Sequence, residues 1–423
     1  MKRIGNIYDQ ISDLDNCILA VRNATRYKRK LSRIHSYVFE VATNAEYYGY
    51  KVHLLLKEKA FIPSPPDHFE IFEGIGKKHR DIHAPKLFPD QIVHWAIIQV
   101  IAPFLLEKFY YYSCGSLPRR GPNLVKKYLS RELAVDDKRH VKVRSIYKYC
   151  LKLDIHHYFQ SIDRNIMLKV IHEHIKDPHV INVLRDIIFT DDIPEGLPIG
   201  YYTSQWLSNL YLHKFDHWLK ERLSQDFKDN IYIRYVDDIT IVASNKRKLK
   251  RIREEISNYL CNNLHLTLKH DSNDQIFDIG KRPIDFVGFK FTYGKTTVRN
   301  RIYRNAINSE TKLNKTKYTL HGLCSVISYG GWMNSSCCYN EKCKRYSFPD
   351  KFYKHKFKQA QQTYEQKKRL RKIDKVLKFK NAIIRKNGDN RMNGYVTLIK
   401  VNENLVNGNN PFTVVEADRI KIG

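Results

Sequence analysis

The chain has 423 residues, enough for a large core and two or three subdomains. Lys and Arg number 74 against 44 Asp and Glu, a formal charge of +30, which predicts a nucleic-acid partner, with a ribosome-associated or membrane-surface protein as the alternative. The chain lacks an uninterrupted apolar run of roughly eighteen residues and an apolar stretch after Met-Lys-Arg-Ile-Gly-Asn, so we expect no membrane contact and a location in the bacterial cytoplasm.

Helical patterns, such as the one over 32–48, fill the first 75 residues. The proline-rich stretch 62–67 breaks them and begins an extended segment. The basic run from Lys77 to Arg80 follows. Arginine forks can grip phosphate oxygens at two points, although a solvated basic turn is the alternative.

An apolar helix and a strand follow. Residues 89–111 carry the apolar pattern of a helix that packs in the core. The stretch Leu151–Asp154 alternates apolar and polar residues, which predicts a strand with Asp154 near its end. Asp154 either caps the next helix or contributes to a carboxylate site.

A glycine-rich loop lies between this strand and the next acidic segment. Gly196 and Gly200 flank Pro198, which makes a loop where backbone can approach a ligand closely. Most such loops are only turns. From Gln205 to Phe215 the apolar residues have helical spacing, so the loop leads into a helix.

Two adjacent carboxylates form the most informative segment. Tyr235–Asp238 lies between two β-rich runs, which predicts a hairpin with Asp237 and Asp238 at its turn. The two acids repel each other, and a divalent metal is their usual stabiliser, although an ordinary polar turn is the alternative. A third acid, Asp154, could complete a site for two metals roughly 3.5–4 Å apart, which clamp the oxygens of a phosphoryl displacement.

The eight cysteines form two sets. We expect the scattered set to be reduced and buried; it comprises Cys17, Cys114, Cys150 and Cys261. The second set has a spacing that could hold zinc but is irregular for a zinc knuckle, so zinc is not expected there. Its residues are His321, Cys324, Cys337, Cys338 and Cys343.

Basic residues dominate the last third of the chain. Residues 351–380 contain twelve Lys or Arg with interleaved Tyr and Phe, which predicts an RNA-binding helix with stacking aromatics. A solvated basic helix without a specific partner is the alternative. Beyond 394 the pattern predicts strands at Tyr395–Ile399 and Phe412–Val415, a small closing β-subdomain.

In their order and spacing, five segments resemble the palm motifs of reverse transcriptases, within a resemblance that covers roughly residues 76–345. The segment at Asp154 resembles motif A, Gly196–Trp206 motif B, Tyr235–Asp238 motif C, Leu264–Lys269 motif D, and Phe286–Phe289 motif E, the primer grip. The resemblance implies an α+β right-hand polymerase with fingers, a ferredoxin-like antiparallel palm, a helical thumb and a basic C-terminal extension. The implied boundaries are a helical N-terminal region at 1–75, fingers at 76–150, a palm at 151–292 with a fingers insertion at about 164–195, a thumb at 293–345, and the extension at 346–423.

Motif B narrows the resemblance further. Ile199 stands where group II intron and retroviral enzymes usually have Gln, and Ser204-Gln205 ends the motif. This pattern is similar to reverse transcriptases of diversity-generating retroelements and of the bacterial "unknown group", many of which are antiphage defence proteins. The resemblance therefore implies an RNA-directed DNA polymerase that makes cDNA from a noncoding RNA in antiphage defence. A mutagenic retroelement enzyme and a catalytically silent RNA-binding scaffold are the alternatives.

The family's mechanism maps onto particular residues. Asp154 and Asp237 would bridge two Mg²⁺ ions, the backbone carbonyl of Ile155 would add a ligand, and Asp238 would tune the site. Phe159, five residues after Asp154, occupies the family's steric-gate position, although it could also be a core residue. The resemblance further implies contacts to the deoxynucleotide triphosphate by Lys78, Arg80, Gly200 and Gln205.

Nucleic-acid contacts are implied along the template and primer, through phosphates and 2′-hydroxyls. They fall on Arg119, Arg120, Tyr235, Gly288, Arg299, Arg301, Lys368, Arg369, Arg371 and Lys372. The expected partners are a noncoding RNA template, a DNA or RNA primer and the cDNA product, and a partner protein or a homo-oligomer remains open. One departure concerns motif D: the family's lysine eight residues after Leu264 is Ser272 here, and Lys269 is the candidate replacement.

Overall fold

A computed structural model describes most of the chain up to residue 362 and two short strands near its end. The described residues are 3–26, 35–73, 78–135, 140–190, 193, 195–269, 276–315, 318–336, 352–362, 395–399 and 417–421. Their contacts divide the chain into two units, Met1–Arg304 with Trp332–Ser347 and Asn305–Gly331 with Phe348–Gly423.

The first unit begins with short helices and a hairpin. These elements are α1 (Tyr8–Ser12), α2 (Leu14–Thr25), α3 (His35–Thr43), α4 (Ala45–Lys57), β1 (Asp67–Glu73) and β2 (Lys78–Ala84). The helix pattern over 32–48 is split, because Asn44 leaves helical geometry between α3 and α4. The helical N-terminal region also ends at Lys57, and the two strands pair antiparallel after the prolines.

The middle of the chain alternates helices and strands. The elements are α5 (Ile92–Lys108), β3 (Ser113–Cys114), α6 (Pro122–Glu132), α7 (His140–Ile146), β4 (Tyr149–Asp154), α8 (Tyr158–Ser161), α9 (Arg164–His174), α10 (Pro178–Ile188), α11 (Tyr202–Tyr211), α12 (His213–Asp226), β5 (Ile231–Tyr235), β6 (Asp238–Ala243), α13 (Lys246–Leu264) and β7 (Ile276–Asp278). The predicted helix 205–215 is in fact two helices, α11 and α12, which meet at Leu212.

Among the described residues, the segment Leu87–Lys108 is long and apolar enough to cross a membrane by length and composition. It consists of a π-helical turn, Leu87–Gln91, followed by α5. Half of the stretch is buried. α5 packs against α2 and α11, and most of its apolar residues are buried in the core or pack against it, whereas Phe104 is exposed.

A five-stranded sheet forms the centre of the unit, in the order β3-β5-β6-β4-β7. β4 pairs antiparallel with β6 and β7, and β3 runs parallel to β5. The cross-strand pairs Leu151–Ile241 and Leu153–Ile239 are buried, and α13 packs against β4 and β7. Since side chains alternate along a strand, Asp154 and its neighbour Asp238 lie on the opposite face.

Local sequence signals fix the helices around this sheet. Asp163 and Asp177 cap α9 and α10 by accepting hydrogen bonds from first-turn backbone N–H groups. Asn245 does the same for α13. The buried residues of α13 follow helical spacing and make one apolar stripe: Leu249, Ile252, Ile256, Leu260 and Leu264.

A second, three-stranded sheet follows the palm strands. It consists of β8 (Ile284–Phe286), β9 (Phe289–Thr292) and β10 (Lys295–Val298), in the order β10-β9-β8. Two helices come next, α14 (Asn300–Lys315) and α15 (Leu320–Asn334).

The second unit has a small core of its own. Leu313, Leu323, Val326 and Tyr353 are buried together, and the Tyr353 hydroxyl donates to Glu310 over 3.0 Å. Residues 352–362 are helical, within the predicted basic helix. β11 (Tyr395–Ile399) matches a predicted strand and pairs antiparallel with β12 (Ala417–Lys421), whereas Phe412–Val415 lies outside the described residues.

The described cysteines are free thiols. Cys17, Cys114 and Cys150 are buried, as expected, but the expectation for Cys261 was wrong. Cys261 lies on α13 outside the apolar stripe, so its side chain is exposed. Of the second cysteine set, Cys324 is exposed, and Cys337, Cys338 and Cys343 lie outside the described residues.

Candidate active site

Three carboxylates converge at one end of the central sheet. In the antiparallel pairing of β4 with β6, Asp154 is directly opposite Asp238. Asp237 occupies the two-residue turn between β5 and β6, and its carbonyl oxygen accepts from the Ile155 N–H over 3.3 Å. Directly opposed residues have Cβ atoms about 5 Å apart, so the fold places the three acids beside one another. Asp154 caps no helix, because the N-cap of α8 is His157.

The turn that carries Asp237 is strained. Val236 has φ of 58°, a left-handed conformation that costs a β-branched residue about 1–3 kcal/mol. The loop after β3 supports it, because the Val236 N–H donates to the Cys114 carbonyl over 2.9 Å. A Cβ on Gly115 would lie 2.6 Å from the Val236 side chain, so only glycine allows this approach.

A fully buried ion pair underlies the same turn. The Arg234 guanidinium donates to both carboxylate oxygens of Asp216, over 2.8 and 2.6 Å, and neither side chain is exposed. A third bond from Arg234 goes to the Val236 carbonyl over 2.7 Å. Tyr232 and Ser113 donate to Asp216 over 2.5 and 2.6 Å. This network fixes the turn at Val236 through charge-assisted hydrogen bonds.

A lysine lies on the same sheet face as the acids. Lys152 Nζ is 3.2 Å from an Asp238 carboxylate oxygen and donates to the Asp285 carbonyl over 2.7 Å. Burial raises the pKa of Asp238 to about 6, Lys152 opposes this, and the charges of Asp154 and Asp237 add to it. The smaller part of the rise that comes from Asp154 and Asp237 reflects three carboxylates gathered at one strand end, a charge that a divalent cation would offset.

The donor set fits a divalent metal. Carboxylates are oxygen-only ligands, which hard divalent cations prefer. Asp154 and Asp237 carry such oxygens at one end of the sheet, while Asp238 is already paired with Lys152. This arrangement suits Asp154 and Asp237 as direct ligands and Asp238 as a tuning group.

The glycine loop packs against the segment that follows Asp154, at Phe159. The Leu197 N–H donates to the Phe159 carbonyl over 2.8 Å. Gly196 has φ of 66°, and a Cβ there would lie 2.3 Å from that same carbonyl oxygen. Phe159 is half-buried on α8, and Gln205 is half-buried on α11. The loop therefore packs against α8 and leads into α11, so it is more than a surface turn.

The β1–β2 hairpin meets the glycine loop. The His83 N–H donates to the Ile199 carbonyl over 2.9 Å, and a Cβ on Gly200 would lie 2.4 Å from the His83 carbonyl oxygen. Ile82 approaches the same glycine, and Arg80 shares its strand face. Arg80 is therefore on the loop-facing side of β2. Lys78 begins β2, and its side chain lies outside the described part of the structure.

Residues 88–291 match the family described as "Reverse transcriptase (RNA-dependent DNA polymerase)". The chain contains a reverse transcriptase domain. The match covers the three acids, the glycine loop and the β8–β9 turn. The fold is thus that of a right-hand polymerase, and the domain is that of an RNA-directed DNA polymerase, a nucleotidyltransferase.

Relatives of known sequence and structure are distant. Protein YkfC of Escherichia coli K12 is 26% identical over 264 residues, 52% of this chain and 67% of YkfC. The "Putative COX1/OXI3 intron 2 protein" of Saccharomyces cerevisiae is 21% identical over 313 residues, 56% of this chain and 35% of that protein. Telomerase from Candida albicans with a fragment of telomeric RNA is similar at 12% identity and a TM-score of 0.42, covering 75% of this chain and 65% of that one.

The arginines after β3 have different surroundings. Arg119 is exposed in a left-handed turn. Arg120 donates to the carbonyl oxygens of Tyr110 and Leu106, both over 3.1 Å, and burial lowers its pKa. These bonds show that Arg120 helps to hold this loop together, and its predicted contact to the nucleic-acid backbone stays a prediction. Arg119 keeps that prediction.

The β8–β9 turn corresponds to the predicted primer grip of the reverse transcriptase domain. Val287 and Gly288 both have positive φ, 43° and 90°, as a tight two-residue hairpin requires. A Cβ on Gly288 would lie 2.8 Å from the Trp332 ring. The Arg299 guanidinium is paired with Asp285. The backbone N–H of Arg299 donates to the Gly288 carbonyl over 3.0 Å.

The remaining predicted contacts are more scattered. Tyr235 ends β5 beside Gly115 and is half-buried. Arg301 is exposed on the first turn of α14. Four predicted RNA contacts lie outside the described residues: Lys368, Arg369, Arg371 and Lys372. Ser272 also lies outside them. The Lys269 backbone N–H donates to the Asp154 carbonyl over 2.9 Å, so the backbones of these two residues are adjacent.

Three side chains that support the acids were not predicted from the sequence: Lys152, Arg234 and Asp216. Lys152 was open to prediction, because it is two residues before Asp154 on a strand and so shares its face. A signal also existed for Arg234, a cation within an apolar β-rich run that needs a buried acid as its partner. No local pattern identifies Asp216 as that partner, since it lies on α12.

Proposed function

We propose that this protein is an RNA-templated DNA polymerase that copies a noncoding RNA into cDNA by phosphoryl transfer with two Mg²⁺ ions. The observation that carries the proposal is the strand register that sets Asp154 opposite Asp238, with Asp237 at the adjoining turn, inside a reverse transcriptase domain. Within such a domain, this carboxylate set is the chemistry that nucleotidyl transfer requires.

The side chains around the acids divide the catalytic work. When bound, two Mg²⁺ ions lower the pKa of the primer 3′-hydroxyl and neutralise the triphosphate. Asp154, Asp237 and the Ile155 carbonyl would hold these ions. Lys152 offsets part of the charge of Asp238 and keeps that carboxylate in place. Lys269 protonates the leaving pyrophosphate in place of the missing motif D lysine, a role supported by the backbone hydrogen bond that joins it to Asp154.

The incoming nucleotide is bound between the hairpin and the glycine loop. Arg80 grips the triphosphate through its forked donors, with Lys78 alongside. Gly200 and Gln205 line the nascent base pair. Phe159 packs under the sugar and excludes a 2′-hydroxyl, which selects deoxynucleotides. The hydrogen bond between His83 and Ile199 supports this arrangement, because it ties the two walls together.

Template and primer are held by charge and by the turn at Gly288. The excess of basic residues favours a polyanion, and Arg119 and Arg301 are exposed to meet its phosphates. Arg299 contributes less because Asp285 already neutralises it. The basic segment 351–380 binds the noncoding RNA, and the protein works in the bacterial cytoplasm in antiphage defence.

A second candidate is the mutagenic polymerase of a diversity-generating retroelement. Ile199 favours it, because an aliphatic side chain replaces a hydrogen-bonding one where the base pair forms. Misincorporation on a defined template separates the two functions. A retroelement enzyme errs frequently and loses that tendency in Ile199→Gln, whereas a defence polymerase is unaffected by the change.

Primer extension tests the polymerase proposal. Purified full-length protein with an RNA template, a primer, Mg²⁺ and deoxynucleotides should extend the primer, and the Asp237→Ala, Asp238→Ala double variant should not. Asp186→Ala is the matched control, since this acid is exposed on α10 and should leave extension unchanged. Equal extension by the wild type and the double variant would leave only an RNA-binding scaffold. Sequencing the nucleic acids that copurify identifies the template.

A further inference from the structure

The outer face of the β1–β2 hairpin carries a group of metal-binding side chains. In the antiparallel register, His68 is directly opposite His83, and Glu70 is directly opposite Asp81. Because directly opposed residues point to the same side of a hairpin, these four side chains share one face. Arg80 and Ile82 alternate with them and point to the other face, towards the glycine loop.

Three of these side chains are close enough to bind one ion. One ligand atom from each of His68, Asp81 and His83 lies within 4.8 Å of the other two. His68 Nε2 is already paired with an Asp81 carboxylate oxygen, and the two imidazole rings are 5.0 Å apart. Zinc bonds of about 2.0–2.1 Å place ligand atoms about 3.4 Å apart in a tetrahedron. Small rotations of these partly exposed side chains close that difference.

The ligand chemistry selects the class of metal. Two imidazoles and a carboxylate favour a first-row transition ion such as Zn²⁺ over Mg²⁺, which prefers oxygen ligands. The Glu70 carboxylate is on the same face, directly across the hairpin from Asp81. Three protein ligands leave a further coordination position for water or for the Glu70 carboxylate.

We propose that His68, Asp81 and His83 form a transition-metal site that fastens β1 to β2. The site is separate from the acids of the reverse transcriptase domain and lies on the opposite face of the hairpin from Arg80. Its consequence is mechanical: His83 is hydrogen-bonded to Ile199, so a metal on this residue fixes the strand that abuts the glycine loop. The proposal goes beyond the polymerase function and does not depend on it.

Metal titration of the intact protein tests this site. Chelator-treated full-length protein, held in excess Mg²⁺ to occupy oxygen-ligand sites, is titrated with Zn²⁺ against a chromophoric chelator. The wild type should bind one more Zn²⁺ than His68→Ala or His83→Ala, and each substitution should weaken that binding more than about 100-fold. His172→Ala is the control, since this exposed histidine on α9 is outside the cluster. Thiol sites are present in all four proteins, so the difference isolates the hairpin.

Hydrogen exchange gives an independent measurement. Zn²⁺ should slow exchange at the amides of β1 and β2 in the wild type and in His172→Ala, and should have no effect on them in His68→Ala. Primer extension in Mg²⁺ should remain intact in His68→Ala, which separates this proposal from the polymerase function. Equal Zn²⁺ stoichiometry and affinity in the wild type and both ligand variants, or equal hydrogen exchange with and without Zn²⁺ in the wild type, would overturn the site.

Discussion

Replacing Arg234 by Met tests how the catalytic turn is supported. The change keeps a long unbranched side chain but removes the charge and four hydrogen bonds, two to Asp216 and one each to Val236 and Asn209. Asp216 is then left as a buried anion with only Tyr232 and Ser113 as donors. Breaking a fully buried ion pair in this way costs about 3–5 kcal/mol.

Urea unfolding measured by circular dichroism and by tryptophan fluorescence gives the free energy of unfolding. Arg234→Met should lower it by about 3–5 kcal/mol, and adding Asp216→Asn should recover a large part, because the orphaned charge is gone. Arg251→Met is the control. Its ion pair with Asp226 is 2.7 Å long, but the arginine side chain is 56% exposed, so the free energy of unfolding should fall by no more than about 1 kcal/mol.

Primer extension per folded molecule should fall in Arg234→Met, since the Val236 carbonyl loses its hydrogen bond to the guanidinium. A loss below about 1 kcal/mol, or a double variant no more stable than the single one, would refute this reasoning.

Three further predictions concern other parts of the domain. Phe159→Ala should raise ribonucleotide incorporation relative to deoxynucleotide incorporation in primer extension, and an unchanged ratio would reject the steric gate. Gly196→Ala should destabilise the protein by more than about 1 kcal/mol, since its Cβ would meet the Phe159 carbonyl at 2.3 Å, whereas Gly331→Ala, in open space on a helix, should not. Burial lowers the pKa of His174 from 6.5 to about 4, and His213 adds to this shift. As the pH falls, the unfolded chain therefore takes up a proton before the folded chain does. The free energy of unfolding should fall by about 2–3 kcal/mol between pH 6.5 and pH 4. His174→Asn should flatten that part of the stability curve, and a curve of unchanged slope would contradict the assignment.

Local patterns predicted the catalytic elements well. The strand ending at Asp154 and the hairpin at Tyr235–Asp238 both form, because alternation and turn chemistry are encoded within a few residues. Of the two acids predicted at the turn, only Asp237 lies there, and Asp238 begins β6. The face shared by Asp154 and Asp238 also follows from strand geometry once the two strands pair.

The interactions that the sequence did not reveal depend on tertiary contacts. Arg234 reaches Asp216 across a helix–strand contact, which no short-range pattern encodes. Arg120 was predicted to contact the nucleic-acid backbone, and no local pattern indicated that its guanidinium also donates to two carbonyl groups of the chain itself. Cys261 was assigned to the core by residue type, whereas its place outside the apolar stripe of α13 leaves it exposed.

Locating the metal ions tests most directly whether Asp154 and Asp237 form a two-metal catalytic site. Crystals of the protein with template, primer and a non-hydrolysable deoxynucleotide can be grown with Mn²⁺ in place of Mg²⁺, and anomalous scattering then locates the ions. We predict two anomalous peaks roughly 3.5–4 Å apart, from two ions that are both bonded to Asp154 and Asp237. A bound nucleotide with no metal at these two carboxylates would contradict it.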